Sequence, residues 1–135
     1  MALEQKKILE KKNKISFPSK LFVNGKYIES KKQRCFENIS PIDGSLINNV
    51  FFSTIEDIDL AVSSARLSFE KGYWSQLAPS QRKKVLLKFA ELIERDRLEL
   101  SLLDTIDMGK TINDTYNSDL LLSVDNIQWY AEIID

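Results

Sequence analysis

Leu21-Phe22-Val23-Asn24-Gly25-Lys26-Tyr27-Ile28-Glu29 decides how the rest of the chain is read. Two short runs of β-formers flank Asn24-Gly25, and Asn-Gly supplies the two positive-φ residues that a type I′ hairpin turn requires. Further along, Cys35-Phe36-Glu37-Asn38-Ile39 and Leu46-Ile47-Asn48-Asn49-Val50-Phe51-Phe52 read as strands. Between them, Ile42-Asp43-Gly44-Ser45 is turn chemistry, with Pro41 suited to a first central position. Residues 20–52 thus predict a small β-meander of three or four strands. In the other direction, residues 1–16 read as a weak helix with Leu3, Ile8 and Leu9 as its large apolar positions, ended by Pro18. Residues 1–19 are then a basic N-terminal arm or helix.

At Ser53-Thr54 the period becomes helical. Thr54 suits an N-cap, and Asp57 stands three residues on, as in a capping box. Ile58, Ala61, Val62, Ala65 and Phe69 make one apolar stripe, and Lys71-Gly72 closes the helix. Ser80, after Pro79, is expected to cap a third helix. There Val85, Leu86, Phe89, Ala90, Leu92 and Ile93 cover more than one face and predict burial on two sides. Arg95-Asp96-Arg97 interrupts it, Leu98–Ile106 resumes, and Gly109 fits the position after a helix end. The last helix is expected from Ser118-Asp119, with Leu120, Val124, Ile127, Ala131 and Ile134 on one face. Residues 53–135 are therefore the helical part of an α+β chain, about four helices behind the meander.

Composition removes several classes of function. The 135 residues are 43% hydrophobic and 29% charged, which is ordinary globular usage. A chain of this length is expected to bury roughly 70% of its unfolded surface if it folds alone. No apolar run approaches a membrane span. One cysteine, Cys35, forms no internal disulfide, and zero histidines exclude a Ser-His or Cys-His pair and any His-ligated metal within the chain. The start lacks the apolar core of a secretory signal, so a cytoplasmic location is expected. Ten of the 19 Lys and Arg lie in residues 1–34. No aromatic platform accompanies those lysines, so they are read as solvating a helix and not as binding nucleic acid or membrane.

Most chemical motifs fail on context. Gly109-Lys110-Thr111 resembles the end of a phosphate-binding loop, but Asp104 stands where the first glycine belongs and a helix precedes it. The four glycines, at 25, 44, 72 and 109, make no G-x-G-x-x-G. Cys35 has no histidine base and is read as incidental. Asp104 and Asp107 share a helix side, which suits acid/base work, a bound cation or a solvated helix end. Acids there oppose the helix dipole, so a compensating charge is expected.

The order of these pieces resembles the N-terminal segment of the aldehyde dehydrogenase superfamily. Leu21–Tyr27 is similar to its opening hairpin, Phe36–Gly44 to its following turn, and Ile58–Arg66 to its first long helix. Trp74, Arg82, Leu86 and Leu92-Ile93-Glu94 fit the next helix, Leu103–Lys110 the "LETLDxGKP" run, and Trp129-Tyr130-Ala131 the "YYA" helix. The ending Trp129–Asp135 is similar to the branch that oxidises γ-glutamyl-γ-aminobutyraldehyde. Ser40 and Thr111 depart from the usual Asn and Pro, and both are read as relaxed turn positions.

The resemblance implies part of an α/β aldehyde dehydrogenase fold, and an intact enzyme that oxidises aldehydes to carboxylic acids with NAD or NADP. Members are three to four times as long. Their nucleophilic cysteine, general base and cofactor-binding lysine lie downstream, so this segment holds no catalytic and no cofactor-binding residues and is expected to be inactive alone. The resemblance also implies a Na⁺ or K⁺ site of Asp107 with carbonyls near Asn38 and Ile39, and places Ser118 and Leu122 at a substrate-tunnel mouth. The partners it implies are a downstream half or full-length subunits. The alternative is a non-catalytic interaction module that complements or joins such subunits. Alone, the segment is expected to expose Leu120, Val124, Ile127 and Ile134.

Overall fold

The structure is a computed structural model that describes residues 5–134. Residues 1–4, with the expected apolar position Leu3, and Asp135 lie outside the described residues. The described chain divides into two units: residues 5–16, 40–44 and 78–134, and residues 17–39 and 45–77.

The second unit holds the strands. β1 (Leu21–Val23) and β2 (Lys26–Ile28) pair antiparallel, with Leu21 opposite Ile28. Asn24 and Gly25 both have positive φ, 51° and 74°, so the expected hairpin turn forms. β3 (Cys35–Ile39) and β4 (Leu46–Phe51) pair separately, with Cys35 opposite Phe51. The four strands make two two-stranded sheets and not one meander. The cause lies at Ser30–Arg34. Gln33 turns with φ 50° and its N–H donates to the Ser30 carbonyl. The Ser30 hydroxyl donates to Asp57 of the next helix at 2.7 Å, so the chain leaves β2 toward that helix before β3 begins.

That helix is α2 (Ile55–Glu70), and its capping box is complete. Asp57 N–H donates to the Thr54 hydroxyl at 3.2 Å, and Thr54 N–H donates to the Asp57 carboxylate at 2.9 Å. Asp57 and Ser30 are both buried, and their bond replaces the water each gives up.

The first unit is helical: α1 (Gln5–Lys12), α3 (Pro79–Arg95), α4 (Arg97–Met108), the single turn α5 (Ile112–Asp114), a π-helical turn (Thr115–Asp119) and α6 (Leu120–Glu132). α1 stops well before Pro18. α3 starts two residues earlier than its sequence suggests, because Pro79 occupies the first helical position, where its missing N–H costs nothing. Gln81 takes over the capping role by accepting from Ala78 N–H at 3.3 Å.

Burial departs from the hydrophobic stripes. Leu120, Val124, Ile127, Ala131 and Ile134 are not the open face. They are buried or half-buried, α6 packs on α3, and Ala90 of α3 and Ala131 of α6 are both 0% exposed. The Lys83–Glu132 ion pair at 2.9 Å closes one end of that pair. Conversely, the α2 stripe faces solvent, and on α3 Val85 and Phe89 are exposed, so α3 is covered on one side only. Among the described residues only Ala90, Leu102, Val124 and Ala131 are buried apolar side chains.

The Ser30 hydroxyl, followed by the Thr54 backbone N–H, holds the Asp57 carboxyl below its ordinary value. A depressed folded value means the stabilisation is complete above the unfolded pKa, about 3.9, and is lost as pH falls through the folded one. Urea unfolding of the chain is therefore expected to weaken below about pH 4. Ser30→Ala should lower stability above that pH and flatten the acid decline.

Candidate functional site

The junction after α4 is the most constrained point of the first unit. Gly109 ends α4 with φ 74°, and its N–H donates to the Thr105 carbonyl at 2.9 Å. A Cβ at Gly109 would stand 3.0 Å from Pro41 Cγ. Glycine is thus required twice, for the left-handed backbone and for the approach of the Pro41 turn. In that turn buried Ser40 accepts from Ile42 N–H at 3.2 Å, and Gly44 N–H donates to the Ser40 carbonyl at 2.9 Å. An asparagine side chain would accept the same i+2 N–H, so the serine fulfils the turn chemistry and is not a relaxed position.

Thr111 is likewise specific. Its hydroxyl accepts from Asp114 N–H at 3.2 Å and caps the helical stretch that follows. Helix therefore begins at Ile112, six residues before Ser118. Thr115, fully buried, meets the Thr105 hydroxyl at 3.0 Å and donates to the carbonyls of Thr111 and Ile112. The Tyr116 ring lies under the Arg97 guanidinium at 4.1 Å. No apolar period announces this π-helical turn; the Thr111 cap was its one legible signal.

Lys110 projects from the junction and pairs with Asp119. That direct bond holds the ammonium above its ordinary pKa, with Asp119, Asp114 and Asp104 adding attraction against partial desolvation. Lys110 thereby supplies the compensating charge expected near the acidic end of α4. An ammonium held by carboxylates is a poor nucleophile and a poor phosphate ligand, and the junction follows a helix. The phosphate-loop resemblance of Gly109-Lys110-Thr111 ends there.

The other expected site residues lie on several different elements. Asp107 is exposed on the last turn of α4, in the first unit. Asn38 and Ile39 close β3 in the second unit, where the ladder shifts register between them and Ile47 is the extra residue opposite. Asn38 donates to the Asn48 side chain at 3.3 Å. Among the described residues no three Cys, Asp or Glu side chains gather as a metal cluster. Ser118 lies in the π-helical turn and Leu122 in the first turn of α6, both exposed. Cys35 is exposed at the start of β3, its thiol 3.8 Å from the Gln33 carbonyl. One feature had no sequence signal: a cleft of about 640 Å³ in the second unit, lined by Val23, Ile28, Leu60, Leu67, Lys71 and Tyr73 among others.

Residues 27–135 match the aldehyde dehydrogenase family. The chain belongs to that family. It is 38% identical to the NADP/NAD-dependent aldehyde dehydrogenase PuuC of Escherichia coli and 36% to aminoacetaldehyde dehydrogenase of Pseudomonas aeruginosa. Each match covers 90% of this chain and 24% of the relative. An indole-3-acetaldehyde dehydrogenase of P. syringae, solved with NAD⁺, superposes with a TM-score of 0.92 at 35% identity, over 99% of this chain and 27% of that one. A γ-glutamyl-γ-aminobutyraldehyde dehydrogenase of Burkholderia cenocepacia gives 0.91 at 35%, over 98% and 27%. The chain thus spans about a quarter of the length of the aldehyde dehydrogenases it matches, and the expected α+β arrangement of hairpins followed by helices holds within that quarter. No helix among the described residues is long and apolar enough to cross a membrane.

Two outcomes are expected at the junction. Gly109→Ala should lower unfolding stability by about 1–2 kcal/mol from the left-handed backbone alone, with the Pro41 contact adding to it. Asp119→Asn should raise the rate at which Lys110 is acetylated by an amine reagent near neutral pH, read by mass spectrometry, because its pKa returns toward the ordinary value.

Proposed function

We propose that these residues serve as a structural segment of an NAD(P)-dependent aldehyde dehydrogenase that oxidises an aldehyde to a carboxylic acid, and that the segment carries no catalysis by itself. One observation carries the reading. The fold agrees with aldehyde dehydrogenases over 99% of the chain while spanning 27% of the neighbour's length.

The chemistry of the described residues supports the second half. Aldehyde oxidation through a thioester needs an activated thiol, a base for water and a place for the nicotinamide. Cys35 is the single thiol, exposed on a strand, and the chain has no histidine. The glycines among the described residues do not form the G-x-G-x-x-G of a dinucleotide cradle. Gly25, Gly44, Gly72 and Gly109 serve four separate positive-φ positions, and Lys110 is engaged by Asp119. We infer that nucleotide, nucleophile and base belong to the remainder of the fold. Ser118 and Leu122, both exposed, suit its aldehyde entrance. A cytoplasmic site of action fits an unpaired, exposed thiol and a nicotinamide-dependent reaction.

The test is the purified chain with NAD⁺ or NADP⁺ and a panel of aliphatic, amino and indolyl aldehydes, followed at the NAD(P)H absorbance. No turnover and no calorimetric binding of either nucleotide are expected. Turnover abolished by Cys35→Ala would overturn the reading.

A further inference from the structure

The cleft of about 640 Å³ lies wholly within the second unit and has two walls. One is a face of the β1–β2 hairpin. Val23 stands opposite Lys26 and Leu21 opposite Ile28, so these side chains share that face. Phe22 and Tyr27 pair edge to face on the other. The second wall is α2 with its C-cap, where Leu60, Ser64, Leu67 and Lys71 recur at helical spacing over about 17 Å. Ser63, Ser64 and Ser68 are small enough to leave room between the walls, and each carries a hydroxyl. Among the described residues no Asp or Glu lines the cleft, although α2 carries Glu56, Asp57, Asp59 and Glu70. Lys26 forms no ion pair with any described residue.

We propose that this cleft binds a small carboxylate with an aliphatic chain, of the medium-chain fatty acid class. Its volume falls within the range of small-molecule sites, about 300–1,000 Å³, and its walls have their composition, apolar with a few polar groups. Charge selects the head group. A carboxylate only accepts hydrogen bonds, and the cleft offers ammonium and hydroxyl donors with no acid competing for them. An ammonium head would meet two like charges. Lys71 stands at the C-terminal end of α2, where the helix dipole offsets part of its charge, and its ammonium lies 5.8 Å from the Tyr73 ring centroid. Lys26 ends no helix, so it is assigned the main contact with the carboxylate. The aliphatic side chains select the body. Val23, Ile28, Leu60 and Leu67 leave apolar surface open, with Leu60 49% and Leu67 53% exposed, and an alkyl chain laid between them removes that surface from water. The site goes beyond the segment reading and does not depend on aldehyde oxidation.

The test titrates the full ¹⁵N-labelled chain with sodium octanoate below its micelle concentration and follows the backbone amide signals. Octylamine and octan-1-ol are titrated in parallel. Saturable shifts are expected around Val23–Ile28, Leu60–Lys71 and Tyr73, with octanoate bound more tightly than the alcohol and the amine not bound. Lys26→Glu should weaken octanoate at least about tenfold, while Lys84→Glu on α3, the same change of charge away from the cleft, leaves it unchanged. Circular dichroism checks that helix content is kept. Leu67→Gln, at a half-exposed position, tests the wall without changing charge and should also weaken binding. Equal affinity in Lys26→Glu and the wild type would overturn the proposal. So would octylamine or octanol bound as tightly as octanoate, shifts centred on the open apolar residues of α3 and α6, or binding that does not saturate.

Discussion

More apolar surface than the chain can cover governs this structure. α6 shows it most directly. Leu120, Val124, Ile127 and Ala131 form one apolar side that is buried or half-buried, while Leu122, Trp129 and Ile133 form an opposite one that faces solvent. A helix apolar on both sides is a buried helix, and one neighbour buries half of it. The same holds for α3, where Ala90 is covered and Val85 and Phe89 are open. The small side chains Ala90 and Ala131 allow a close helix pair but contribute little area.

Polar junctions do what the core does not. Ser30, Thr54 and Asp57 join the exit of β2 to the start of α2 through three hydrogen bonds. Ser40 shapes the turn that rests on Gly109, and Thr105, Thr111 and Thr115 bind the end of α4 to the start of the next helical stretch. Each fixes a direction of the chain with hydroxyls and carboxylates, whose geometry is stricter than that of apolar contact. Element directions are therefore set locally, by bonds whose geometry a small apolar core does not supply.

Local chemistry was the part most legible in the sequence. Asn24-Gly25 fixed a hairpin, Thr54 with Asp57 a capping box and Gly109 a helix end, because each acts within a few residues. The hydrophobic period also located the helices. It did not say which stripe would be covered: Val124 and Val62 carry the same kind of signal, yet one is 7% and the other 61% exposed. That choice depends on neighbours distant in sequence. The start of the last helical stretch was missed because Asn113, Asp114, Thr115 and Asn117 are weak helix formers, and here the Thr111 cap and the Thr105–Thr115 contact override propensity. The Ser30–Asp57 bond, which separates two sheets where one meander is expected, spans 27 residues and has no local signature.

The departures at Ser40 and Thr111 bear on what the segment is for. A chain released from constraint would lose turn and cap chemistry first, since those positions tolerate exposed substitutions. Here each replacement makes the hydrogen bond its position requires: Ser40 accepts from the residue two ahead, and Thr111 from the residue three ahead. Lys110 likewise answers the acids around it. The retained features are those that aim secondary structure, while the one thiol sits on an exposed strand without a base. Residues that aim secondary structure, together with apolar sides left open among the described residues, fit the structural segment proposed above.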